Sequence, residues 1–285
     1  MKKGAQCLGK ALLYLLLFLA IHTLVYMAFS VAITFYVLME AENPQLMLES
    51  EQFLELYSAL LTKNTTLLTL TANAVVLFVL WIFFAVRKKP MCQSIRLYRL
   101  DIKTVAACAL FALGLSGFIG MAVELLPFPA DLRNSFIREH DYMRAGNPIV
   151  DFCAVVILAP FAEEILFRGL IYTRLKEGLP TLAALLISSA VFGWVHGEAI
   201  WAVAGFMGAL ALVWVFESTG SLAACIIVHM VNNLAAQLTA DLYLSTWQLI
   251  LLAIVYGVCF ICGGLWLMKL EANRAEAPKG LPSET

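Results

Sequence analysis

The chain is 285 residues long, 62% hydrophobic and 14% charged, with a mean hydropathy of +0.86. That is more apolar surface than a soluble domain of this length can bury, so the sequence is that of an integral membrane protein. A net charge of −1 leaves no long-range attraction for a polyanion, and seven cysteines scattered through apolar runs are no disulfide framework; nucleic acid is excluded as a partner.

Lys2, Lys3 and Lys10 precede a first apolar run over 11–39, which is too long for a signal-peptide core and is read as a retained helix. The following loop holds Glu40, Glu42, Glu49, Glu51 and Glu55 against Lys63 alone, which puts the N-terminus in the cytoplasm. Asn43-Pro44 has the form of a cap with proline at the first helical position. Leu46, Phe53, Tyr57 and Leu60 follow at near-helical spacing, predicting one helix lying on the membrane surface. Asn64-Thr65-Thr66 matches a glycosylation sequon that a bacterial chain would leave unused. A second span over 67–86 leads to a basic connector with Arg87, Lys88, Lys89, Arg96, Arg99 and Lys103, again a cytoplasmic signature.

A third span over 105–126 gives way at Pro127-Phe128-Pro129 to an outer loop ending at Asn147-Pro148, a helix start. Further spans are expected at 149–176, 182–195, 201–216, 222–240 and 247–268, with Gly178 and Pro180 stopping the first of these. Cys259 and Cys262, beside Gly263 and Gly264, read as small-residue packing in the last span. The expected fold is therefore all-α: a polytopic membrane protein of about eight transmembrane helices with an intramembrane polar cavity and both termini inside. Its divisions are a cytoplasmic N-terminus at 1–10, a three-helix region at 11–147, a catalytic core at 148–270 and a cytoplasmic tail at 271–285. The short loops point to a multi-pass protein of a bacterial inner membrane, with membrane lipids as its surroundings.

The informative stretch is Phe161–Leu170, where Glu163, Glu164 and Arg168 interrupt an apolar run. Each ionised group held in hydrocarbon costs several kcal/mol. Glu164 and Arg168 are i and i+4 and share a face as a neutralising pair, whereas Glu163 is turned by about 100° from Glu164, onto the face of Phe167. His229 and Asn233 are likewise i and i+4. Counted from the cytoplasmic turns, Glu163 lies about 20 Å up its helix, His196 about 21 Å and His229 about 17 Å. The three share one layer of the bilayer.

The ordered set Glu163-Glu164-x-x-x-Arg168, Phe192-x-x-x-His196 and His229-x-x-x-Asn233 resembles the three motifs of the CaaX protease and bacteriocin-processing family of intramembrane proteases, which includes the type II CaaX prenyl endopeptidases. The resemblance implies cleavage near the C-terminus of a peptide or protein with a lipidated or hydrophobic segment. It implies that Glu163 and His196 activate water, that His229 and Asn233 stabilise the oxyanion, and that Glu164 and Arg168 form a structural pair.

The residues support that chemistry independently. Peptide hydrolysis needs a base for water and N–H donors for the developing oxyanion, and no Ser or Cys is placed beside a His as a nucleophile. Glu163, His196 and His229 are also an acceptable three-ligand set for Zn²⁺, although the paired-histidine helix motif of many zinc peptidases is absent. Cofactor-free and zinc-dependent hydrolysis both stay open. Against catalysis stand plainer readings: Asn233 as interhelical glue, His196 as a helix-end residue, and Phe192 and Trp194 as packing. His22 and His140 have no partner in sequence and receive no role. The competing functions are a non-catalytic scaffold giving immunity to a secreted peptide and a proton-coupled transporter, the latter without the internal repeats that transporters show.

Overall fold

Six helices are each long and apolar enough to cross a membrane: Gly4–Met39, Thr65–Val86, Ile102–Leu125, Ala199–Thr219, Leu222–Thr239 and Thr246–Asn273. They belong to a computed structural model that describes residues 2–88, 90–239, 242 and 245–276, among which every regular element is helical. The chain is thus a multi-pass α-helical membrane protein. Lys89, Ala240 at the edge of the expected seventh span, and residues 277–285 of the expected tail lie outside the described residues.

Two of the expected spans take a different form. The run 148–178 is helical throughout but not uniformly α: Phe152–Leu158 and Ile165–Tyr172 are π-helical and flank the α-turn Ala159–Glu164. The next helix, Thr181–Trp194, has 14 residues, about 21 Å at 1.5 Å per residue. That is short of the ≈30 Å hydrocarbon core.

The loop after the first helix also departs from expectation. Asn43 caps Pro44–Leu48, its side chain accepting from the Gln45 and Leu46 amides. Ser50 then interrupts what the spacing suggested was one helix and caps a second, Glu51–Lys63, by accepting from the Phe53 amide. That helix is tied to the first by the Ser30 and Tyr57 hydroxyls at 2.5 Å.

The membrane helices meet where side chains are absent. A Cβ on Gly114 would lie 2.1 Å from the Phe260 amide nitrogen, one on Gly117 2.0 Å from the Tyr256 ring, and one on Gly263 2.4 Å from the Phe111 nitrogen. Ile102–Leu125 and Thr246–Glu276 therefore pack backbone to backbone, the small-residue seam that lipid-embedded helices use. Cys259 and Cys262 are unpaired beside this seam. The basic connector is folded onto the bundle: Ile95 is fully buried, the Leu222 amide donates to the Arg96 carbonyl at 2.8 Å, and the Ser221 hydroxyl donates to that of Tyr98 at 2.9 Å. The first helix, Lys2–Met39, packs on the C-terminal half of the 148–178 run and on Thr65–Val86.

Candidate active site

Pro160 explains the local form of the motif helix. The Ala159 amide bonds the Ala154 carbonyl, an i→i−5 step, and the next step in that register would join residue 160 to the carbonyl of Val155. Proline has no N–H to give. The vacated Val155 carbonyl instead accepts from Asn233 Nδ2 at 2.9 Å. A carboxamide from Leu222–Thr239 thus replaces a missing backbone donor, and Asn147 starts the same run by accepting from the Ile149 and Val150 amides. π-Turns of this kind gather at functional sites.

Glu164 and Arg168 meet inside the protein, exposed by 0% and 1%, with Arg168 Nη1 donating to Glu164 Oε1 at 2.8 Å. The same oxygen faces His229 Nδ1, also at 2.8 Å. Glu164 Oε2 and Arg168 Nη2 are buried without a protein partner. The Arg168 guanidinium lies 4.4 Å above the Phe192 ring, so the charge is covered by a π-face as well as neutralised. Phe192 is the hub of this cluster, packing edge-on to Phe167 at 4.9 Å, on His196 at 4.8 Å and towards His229 at 5.9 Å. Trp194 points away and is 64% exposed.

Glu163 is only partly buried. Its Oε2 stands 3.9 Å from His229 Nε2, too far for a direct hydrogen bond and close enough for both atoms to hold one water or one ion. Glu164 Oε1 engages Nδ1 of the same ring, and in the tautomer with its proton on Nδ1 the Nε2 lone pair faces Glu163. A water between the two would donate one hydrogen bond to each.

His196 follows Thr181–Trp194 in a tight turn: its amide donates to the Gly193 carbonyl, and Gly197 takes φ +77°, a left-handed conformation that glycine adopts without strain. Glu198 then caps the next helix by accepting from the Ile200 and Trp201 amides at 2.8 and 3.0 Å. A Cβ on Gly193 would reach within 2.4 Å of the Ala202 carbonyl oxygen, and one on Gly205 within 3.2 Å of His196 Nδ1. The two glycines let these helices close around the histidine. His196 is exposed, with Nδ1 on the Phe192 carbonyl at 2.7 Å.

Glu163 is therefore brought to His229, while the His196 ring lies against Phe192 with Nδ1 on a backbone carbonyl. Both rings have Nδ1 engaged by oxygen and Nε2 free, the orientation found in metal-binding histidines. Among the described residues no three His, Cys, Asp or Glu side chains form a group that could hold a metal ion.

One residue without a sequence partner comes to this site from far away in the chain. His22 of the first helix stacks on Phe18 at 4.0 Å, and Phe18 packs at 6.1 Å on Phe167, one helical turn along from Glu163. The available signal was simple: an ionisable side chain in a spanning run is a functional candidate even when alone. His140 lies beside Asp141 on the helix Ala130–Met143.

No curated protein and no solved structure matches the chain. Residues 145–235, roughly a third of the chain, match the family described as "Type II CAAX prenyl endopeptidase Rce1-like". All three motifs fall inside the match, from Glu163 to Asn233, and so do the π-helical turns and the Glu164–His229 contact. The segment 145–235 is thus similar to the Rce1-like type II CAAX prenyl endopeptidases.

Proposed function

We propose that the protein is an intramembrane endopeptidase that hydrolyses a peptide bond with water activated by Glu163. The observation that carries this reading is the approach of Glu163 Oε2 and His229 Nε2 to 3.9 Å beside a neutralised, fully buried Glu164–Arg168 pair. A water held there gives one proton to the Glu163 carboxylate as its oxygen attacks the scissile carbonyl carbon. The same carboxyl then returns that proton to the leaving amine nitrogen.

His229 keeps its ring orientation because Glu164 holds Nδ1, and Glu164 keeps its place because Arg168 holds it. Asn233 retains one Nδ2 hydrogen beyond the one given to Val155, and His196 presents an exposed ring. These are the donors available to the oxyanion, His196 when protonated. Each such donor contributes about 3 kcal/mol to lowering the barrier in a dry pocket.

The fitting substrate is a peptide with a hydrophobic or lipid-bearing segment that reaches the site from within the bilayer, in line with the prenylated substrates named in the family description. We read the protein as resident in a bacterial inner membrane with both termini cytoplasmic. The deciding experiment is cleavage of a lipidated reporter peptide by the purified protein, with Glu163→Gln and His196→Ala beside it and a chelator in parallel. Glu163→Gln should lower the rate at least about 100-fold. Undiminished cleavage by both variants would sink the mechanism. Loss on chelation with rescue by Zn²⁺ would replace it by a metal-assisted one, whereas indifference to the chelator supports attack on the scissile carbonyl by water that Glu163 alone activates.

A further inference from the structure

The first helix lies outside the family match yet packs directly on the π-helical turn Ile165–Tyr172 that follows Glu163. It repeats, in sequence and in geometry, a unit already present at the site. Phe18-x-x-x-His22 has the spacing of Phe192-x-x-x-His196. In both units the histidine Nδ1 is bound to the carbonyl of the phenylalanine four residues earlier, at 3.0 Å for His22 and 2.7 Å for His196. In both the imidazole lies against that phenylalanine ring, at 4.0 and 4.8 Å.

The two phenylalanines then grip one residue. Phe18 and Phe192 each pack edge-on to Phe167, at 6.1 and 4.9 Å with interplanar angles of 74° and 83°. Phe167 is four residues after Glu163 and shares its helix face. Phe167, one turn from the carboxylate, is therefore held between two Phe-His units from different helices, and in each Nε2 is the ring nitrogen left unengaged.

We propose that His22 is a positioning residue of the active site, acting through its free Nε2 on Glu163 and the water that Glu163 deprotonates. The first helix is then a functional wall of the site, not only an anchor. The inference rests on the endopeptidase reading for its kinetic consequence, but the coupling it requires between His22 and Glu163 is testable without it.

The test uses the full chain in detergent. His22→Phe keeps the stack on Phe18 and fills the space while removing both nitrogens, and His22→Gln restores a polar nitrogen at similar reach. With a hydrophobic reporter peptide, His22→Phe should lower kcat about 10- to 100-fold, the range for a residue that orients a reacting group, with KM changed little. His22→Gln should recover part of the loss. Unfolding midpoints of wild type, His22→Phe, Glu163→Gln and the double variant should be non-additive, because the two side chains interact.

A wild-type kcat in His22→Phe, or additive midpoints, overturns the proposal. If instead Glu163→Gln cleaves as well as wild type, or wild type cleaves nothing, the endopeptidase reading falls, and the unfolding cycle still decides whether His22 and Glu163 are coupled.

Discussion

Glu164 serves two neighbours with one oxygen, and its burial makes each indispensable. Arg168 and His229 both stand 2.8 Å from Oε1, so removing the guanidinium leaves an uncompensated carboxylate in the interior. Arg168→Ala should therefore cost about 3–5 kcal/mol, read as a fall in the unfolding midpoint in detergent. Arg168→Lys should recover little, since an ammonium cannot both reach Glu164 and lie flat on Phe192. A near-wild-type midpoint for Arg168→Ala would show that Glu164 is not charged in the folded protein. Glu163 differs: it is partly exposed, and its Oε2 stands 3.9 Å from His229 Nε2 with no hydrogen bond between them.

The motif helix depends on an exchange of donors between two elements. Pro160 removes the N–H that Val155 would receive in the π-register, and Asn233 supplies it. Asn233→Leu should cost about 1 kcal/mol, the deficit of an unmet buried carbonyl partly eased by the helix relaxing. In a Pro160→Ala background, where an amide is again present at that place, the same substitution should cost distinctly less. Equal costs in both backgrounds would mean that Asn233 does not stand in for the missing amide.

The short helix Thr181–Trp194 makes a parallel case. Gly193→Val would drive a side chain into the Ala202 carbonyl, which a Cβ alone already approaches to 2.4 Å, and push the helix bearing His196 off its neighbour. A displacement of about 1 Å at a reacting group is worth up to about 100-fold in rate, so peptide cleavage should fall by that order even where the variant still folds. Undisturbed cleavage would mean that His196 is not held in place by this crossing.

Across the whole molecule, the glycine seam between Ile102–Leu125 and Thr246–Glu276 carries the packing of the last helix. Gly114→Val should cost about 3 kcal/mol, because the backbone of Phe260 has no flexible end to yield. The asymmetry of lysine and arginine in the loops fixes an expectation for orientation. Cys92 is exposed next to the basic connector, so a membrane-impermeant maleimide should label it only after the cells are opened. A cysteine placed at Asp131, on the outer helix Ala130–Met143, should be labelled in intact cells. The reverse pattern would invert the topology.

Membrane residence, the helical fold and the three motifs were legible in the residues themselves, because apolar runs of spanning length and i, i+4 spacing are local quantities. The Glu164–Arg168 pair belongs with them, lying on one face of a single helix. What could not be read locally is which imidazole meets which carboxylate. Sequence spacing puts Glu163, His196 and His229 in one layer; tertiary packing sets His229 Nε2 3.9 Å from Glu163 Oε2 and lays the His196 ring against Phe192. The π-turn Phe152–Leu158 was hidden because the acceptor left at Val155 is met by Asn233 of a distant helix. His22 reaches the site only because the first helix packs on the motif helix, a matter of shape complementarity between faces that no spacing along the chain encodes.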